Sequence, residues 1–511
     1  MSTLSIIRKG LLASACLGAA FVPVAFAQEL TVMQSEAPRS MDPGDQGATF
    51  TNALLAPVYE GLIARASDLS LQPGLATEWS PNDDGTEWTF KLREGVVFHD
   101  GTPFNADAVV YNFERHLDTD RGLAASGRLR TFLESVEKID ENTVKFTLFH
   151  PYPSFLNILT TNGGQIVSPT ADEAGNLGAA SVGTGPFEMT EYRSGEYVLQ
   201  EKFADYWGGE DERVDAIRWT WSSEPSVLSM ALQTGDADVI NPVPPAFAAA
   251  IDANPELELT VSDGSAVFWV ALNTQSEALE DVRVRQALNF ATDKDGIINA
   301  IMSGYAMPAN SPLASVAEGY NPDLDPYPLD LDRARELLEE AGFADGFSMS
   351  VVVQEQEARI AEVLQAMWGE IGVELNVLRM ESGVWSDAAF GDPEKKAEDG
   401  VDAVIASWSS GVNGPDLQFR PLYHTESFAP GSANLGFYQN DEFDRLLDEA
   451  AASVDEDARN EIYGDLQEMI NQDAPHVLLY FSQDLYATRA GVEDVWMIPG
   501  GLVRVDSATK Q

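Results

Sequence analysis

Residues 73–115 read PGLATEWSPNDDGTEWTFKLREGVVFHDGTPFNADAVVYNFER, a run in which each local signal points to a different element. Glu87-Trp88-Thr89-Phe90-Lys91-Leu92 alternates as a half-buried strand does, and Asp83-Asp84-Gly85 ahead of it is hairpin-turn chemistry. Phe98-His99-Asp100-Gly101 reads as a strand ending in a tight turn, with His99 as a structural hydrogen bonder. Asn105-Ala106-Asp107 then opens an amphipathic pattern carrying Val109, Val110 and Phe113, a capped helix start.

The rest of residues 29–260 continues this strand-and-turn style, with LTVM at 30–33, TVKFTLF at 143–149 and YVLQE at 197–201. Beyond residue 260 the pattern alternates between helix and strand. Ala334, Leu337, Leu338 and Ala341 fall on one helical face ahead of Gly342, and Ile360, Val363, Leu364, Met367 and Ile371 do so ahead of Gly372. VELNVL follows, further helices are expected over 441–451 and 457–472, and VLLYF at 477–481 is again a strand. This alternation predicts an α/β lobe.

The chain has 511 residues, 44% of them hydrophobic, enough for two or three domains. Arg8 and Lys9, the apolar run from Leu11 to Phe26 and the closing Ala25-Phe26-Ala27 read as a signal peptide over residues 1–27, which places the product in the periplasm. Cys16, the single cysteine, sits inside that segment with Ala13 where a lipoprotein signal usually has Leu, so the mature chain is read as free of thiols and disulfides. A net charge of −51 excludes nucleic acid and anionic membrane surfaces as partners.

The sequence carries few catalytic signatures. His99, His116, His150, His424 and His476 have no metal-ligand spacing, and neither a Gly-x-Ser-x-Gly elbow nor a Walker lysine occurs. Gly183-Thr184-Gly185-Pro186 suits a turn better than a phosphate cradle. The expectation is therefore no catalytic residue, no metal and no cofactor. A secreted hydrolase stays open, because 82 carboxylates leave room for a glycosidase-type pair.

Residues 73–115, together with VGTGPFEMTEY at 182–192, FADYWGG at 203–209, ALQTGDADV at 231–239 and DVRVRQALNFATDKDGI at 281–297, resemble family 5 of the periplasmic solute-binding proteins. These serve dipeptide, oligopeptide and nickel ABC importers. The resemblance covers essentially the whole mature chain. It implies a two-lobed α/β fold of the type II, cluster C-like kind with an extra inserted domain. Lobe I would comprise 28–60, 180–264 and 485–511, the extra domain 61–179, and lobe II 265–484. Crossings are expected at 261–274 and 477–484, with Gly264 as a hinge point. It also implies a monomer that closes on a small-molecule or short-peptide ligand and hands it to an inner-membrane ABC permease with its ATPase.

The ligand question turns on VDAVIASWSSGVNGPDLQF at 401–419, where an apolar strand changes abruptly at Trp408 into small and polar residues. Peptide binders of the family resemble one another in placing an amine-holding Asp three residues after this Trp, and here that position is Gly411. Trp408-Ser409, Asp416 and Pro421-Leu422 look like the glutathione-binding subgroup, as do PYPSFLNIL at 151–159 and VWMIPGG at 495–501. An opine, an amino-acid conjugate or an oligosaccharide is the alternative ligand.

Candidate ligand-binding residues each have a plainer reading beside them. Trp408 is either a wall for the ligand or core beneath the loop, with Ser409 and Ser410 as hydrogen-bonding partners. Asp416 either captures an amine or caps the next helix. Arg359, at a helix start, either holds a carboxylate or faces solvent, and Arg39 either reaches ligand or forms a surface ion pair. Trp269 alternates with Phe268 and Val270, which leaves open which face meets the cleft. Arg283 and Arg285 read as carboxylate partners on a solvated helix face.

Overall fold

The computed structural model describes residues 28–209, 212–324, 327–412, 414–453 and 455–511. The expected signal peptide lies outside these residues. The strand and helix signals of residues 73–115 become Ala76–Pro81, Glu87–Leu92 and the helix Ala106–Leu117. Asn105 caps that helix by accepting from the Ala108 N–H at 3.1 Å.

Those two strands pair with Thr143–Leu148 and Leu133–Asp140 in a four-stranded antiparallel sheet of its own. Its inward positions carry Phe90 and Phe146, which meet edge to face at 5.1 Å and pack with Phe113 and Phe155 in an aromatic core. Rings of this size bury enough area for a small sheet to sustain its own core.

A separate eleven-stranded sheet runs through the rest of the molecule. At one end Glu29–Gln34 lies parallel to Ala216–Trp221 and Val239–Asn241, and at the other Phe347–Gln354 lies parallel to Val373–Met380 and Ala403–Ser409. The two groups are joined by two long antiparallel strands, Leu257–Leu272 and His476–Arg489. Each long strand borders one group. Leu257–Leu272 pairs through Ala266–Leu272 with Ala403–Ser409, while His476–Arg489 pairs through Ala487 and Thr488 with Val239–Asn241.

The ladder between the long strands is interrupted between Asp263 and Val267, where the register shifts. Gly264 occupies this bulge, and a Cβ there would lie 2.8 Å from the Ser482 carbonyl oxygen and closer still to Ser482 Oγ. Bulges weaken and bend pairing locally, so this is where the paired strands are least regular. Helices cover both faces of the sheet beyond it. That explains why Ala403, Val404, Ile405 and Ala406 are all buried rather than alternating.

On one face of this region Trp269, Phe419, Tyr423 and Tyr463 share a core, and on the other Val270, Leu288, Leu364 and Trp368 do. Arg285 departs from its sequence reading. It is 7% exposed, and its guanidinium donates to the backbone carbonyls of Leu279, Glu280 and Asp473. It thereby satisfies the C-terminal end of the helix Glu456–Asp473. Arg283 does pair with a carboxylate, Asp281, at 2.5 Å.

Candidate functional site

Residues 401–419 leave the sheet at Ser409, whose register partner on the long strand is Ala266. Ser409 Oγ lies 2.7 Å from Ser265 Oγ and accepts from the Gly411 N–H, so the turn is tied to the bulged strand. Gly411 holds φ +62°, a left-handed conformation that a glycine adopts without steric cost. Trp408 is half-buried, and its indole N–H donates to the Leu417 carbonyl at 3.0 Å.

The segment that follows spans to the aromatic sheet. A Cβ on Gly414 would stand 2.7 Å from Ser154 Oγ, and Leu417 packs on the core around Phe90 and Phe155. Two cavities flank the turn and meet at Arg65 and Val412. One, of about 260 Å³, is lined by Gly411 and Val412 on one side and by Asn52, Arg65, Arg128, Gln165 and Arg504 on the other. The second, of about 530 Å³, lies between Val316, Glu318 and Arg459 on one wall and Leu71, Trp88 and Tyr152 on the other.

Three arginines around one small cavity are notable in a chain with 31 basic against 82 acidic residues. Arg65 is held rigidly, donating to the Leu69 carbonyl at 2.7 Å and to Asn157 Oδ1 at 2.8 Å. Burial lowers its pKa to about 10, opposed by the field of Glu318, and it stays cationic at neutral pH. Arg504 is fixed by two bonds to Asp506, at 2.7 and 2.9 Å. Arg128 is exposed and has no ion-pair partner among the described residues. Guanidinium groups grouped in this way recognise carboxylates.

Behind Arg504 sits Glu60. Its carboxylate accepts from Thr184 Oγ1 at 2.8 Å, the Trp207 indole at 2.8 Å and the Tyr206 hydroxyl at 3.1 Å. Desolvation pushes its pKa up to about 7 despite these bonds. His99 is structural, bonded to the Gly185 carbonyl at 2.9 Å and to the Gly183 N–H.

The residues singled out in the sequence scatter by comparison. Trp269 is 1% exposed and stacks on His476 at 4.3 Å, so it is core, in the same cluster that Trp408 packs against. Asp416 opens the helix Asp416–Tyr423 and is engaged by Arg420, 2.9 Å away. Ser410 is buried, and Ser409 is spent on the turn. Arg39 pairs with Glu36 at 3.3 Å and is two-thirds exposed, while Arg359 is exposed; neither lines either cavity. Arg65, Arg128 and Arg504 carried no local motif, and only the scarcity of cations in the composition hinted at them.

Two groups of strands joined by two crossing strands, with cavities between a loop of one part and the facing domain, define the two-lobed α/β fold of periplasmic binding proteins. Residues 70–429 match the family described as bacterial extracellular solute-binding proteins, family 5 Middle, and the chain belongs to that family. A relative from Shigella flexneri serotype 5b, the glutathione-binding protein GsiB, is 30% identical over 499 residues, covering 96% of each chain. HbpA2 from Haemophilus parasuis superposes with a TM-score of 0.87 at 27% identity, over 94% of this chain and all of that one. A dipeptide-binding protein from Pseudoalteromonas sp. SM9913, in complex with Met-Leu, gives 0.74 at 26% identity, over 95% and 100%.

Proposed function

We propose that this protein is the periplasmic receptor of an ABC importer and that its ligand is glutathione or a closely related short peptide. The observation that carries the reading is the cavity of Arg65, Arg128 and Arg504 facing Gly411. Glutathione presents two carboxylates and one amine, so a cationic cavity suits it better than a site built around an amine-holding Asp. A carboxylate at position 411 would set a negative charge among the guanidinium groups; glycine leaves that place empty. The similarity to GsiB supports the same ligand.

Lobe I is assigned to 28–60, 180–264 and 485–511, the inserted domain to 61–179 and lobe II to 265–484. Gly411 and Val412 are the contribution of lobe II, and the arginines that of lobe I and the inserted domain. Ligand bridging the two sides adds contacts only available when they approach, so it favours closure about the bulge at Gly264. The closed monomer then docks on its permease with the ATPase behind it. No step of this cycle makes or breaks a covalent bond, and the protein is not an enzyme.

Thermal melting of the mature protein with candidate ligands tests the assignment. A ligand at a hundred times its dissociation constant adds about 2.7 kcal/mol. Glutathione is expected to raise Tm; an unchanged Tm with glutathione, alongside a rise with an opine or an oligosaccharide, refutes the ligand assignment. Consumption of the stabilising ligand would mark a hydrolase instead.

A further inference from the structure

The cavity of about 530 Å³ shares Arg65 with its neighbour and adds an aromatic and aliphatic wall that the smaller cavity lacks. Trp88 and Tyr152 stand on one wall with Leu71 and Leu156, and Val316 faces them from the other. Both rings are held in place. Tyr152 stacks on Phe132 at 4.2 Å with the planes 12° apart, and Trp88 lies 5.6 Å from Phe155 while its N–H donates to the Gly85 carbonyl. On the opposite wall Arg459 pairs with Glu318 at 3.2 Å, and Glu456 stands at the same wall.

Leu69, which also lines this cavity, holds φ +69°, a conformation that a branched L residue rarely adopts. That backbone directs the Leu69 carbonyl onto Arg65, the residue shared by both cavities. Strain of this sort persists where surrounding structure over-determines it, and such positions cluster at ligand sites. Here it pins the guanidinium at the junction between a cationic compartment and an apolar one.

We infer that the binding site has two compartments, and that the preferred ligand is an anionic short peptide carrying a bulky apolar or aromatic substituent. The carboxylates go to the arginines and the substituent goes against Trp88 and Tyr152. Resting on the glutathione reading, this names the ligand as a thioether conjugate, because the cysteine sulfur is the one position of glutathione that takes such a group without removing a carboxylate or the amine. About 150 Å³ suffices to hold benzene in an apolar protein cavity, so a benzyl group fits with room to spare.

Calorimetric titration of the full mature chain with glutathione, S-methylglutathione and S-benzylglutathione tests this. S-benzylglutathione is expected to bind at least about tenfold more tightly than S-methylglutathione, from burial of one ring. Leu71→Trp and Val316→Trp fill the apolar compartment from opposite walls; each is expected to bring the ratio of benzyl to methyl affinity down to about one. Equal affinities for the methyl and benzyl forms in the wild-type protein overturn the inference, as does a gain that survives both substitutions. If none of the three binds, the glutathione reading itself has failed and the inference falls with it. The wild-type series decides the matter even if both variants fail to fold.

Discussion

Replacing Gly411 by Asp places a carboxylate in the wall of the arginine cavity. Gly411→Asn is the control, because Asn and Asp tolerate the left-handed backbone at φ +62° to a similar degree and differ in charge alone. The Asp-minus-Asn difference therefore reports the interaction of one carboxylate with the bound ligand. A ligand carboxylate about 6 Å away, at an effective dielectric of about 20, is repelled by about 3 kcal/mol, or roughly a hundredfold in affinity. Partial neutralisation by Arg65, Arg128 and Arg504 reduces this toward about tenfold. Glutathione titrations at fixed ionic strength, with Tm of each unliganded variant as a folding control, measure it. Equal glutathione affinities for the Asp and Asn variants would refute the reasoning, because position 411 would then not face a bound anion.

Further outcomes concern the scaffold. Glu60 has a folded-state pKa raised to about 7 from 4.5, so the native state holds its proton more tightly than the unfolded chain. Its contribution to stability is complete below about pH 4.5 and is lost as pH rises through about 7; Glu60→Gln is expected to flatten the Tm profile over that window. Gly264→Ala forces a methyl against Ser482 and should cost about 1–3 kcal/mol in denaturant titration. Arg285→Met strips the donors from three backbone carbonyls, one of them buried, and is expected to cost about 2–4 kcal/mol, far more than a surface arginine would.

Elements whose periodicity is set locally were legible from the chain. The hairpin through Asp84-Gly85, the cap at Asn105 and the helix ahead of Gly342 all rest on interactions within a few residues, and all are present. Trp269 was undecidable for a physical reason: helices cover both faces of its sheet, so alternation carries no information on which side meets the ligand. Arg285 was misread because a buried guanidinium bonded to backbone carbonyls leaves no mark in the local pattern. The arginine cavity is more distant still, assembled from positions 65, 128 and 504, each unremarkable in its own segment. Gly411, which lines the same cavity, is the exception, singled out in the sequence because it departs from a pattern.

The charge of the whole molecule and that of its cavity have opposite signs, and the consequence is kinetic. A net charge of −51 repels an anionic ligand at long range, while the guanidinium groups attract it only within the cavity. Salt screens the first effect far more than the second, since the Debye length falls from about 30 Å at 0.01 M to about 8 Å at 0.15 M. Raising ionic strength over that range is thus expected to speed glutathione association several-fold while leaving dissociation nearly constant. This is the reverse of the usual outcome for a charged ligand entering an oppositely charged site. Stopped-flow measurement of both rates decides it: association that slows with added salt would mean that the cavity arginines, and not the acidic surface, govern the approach.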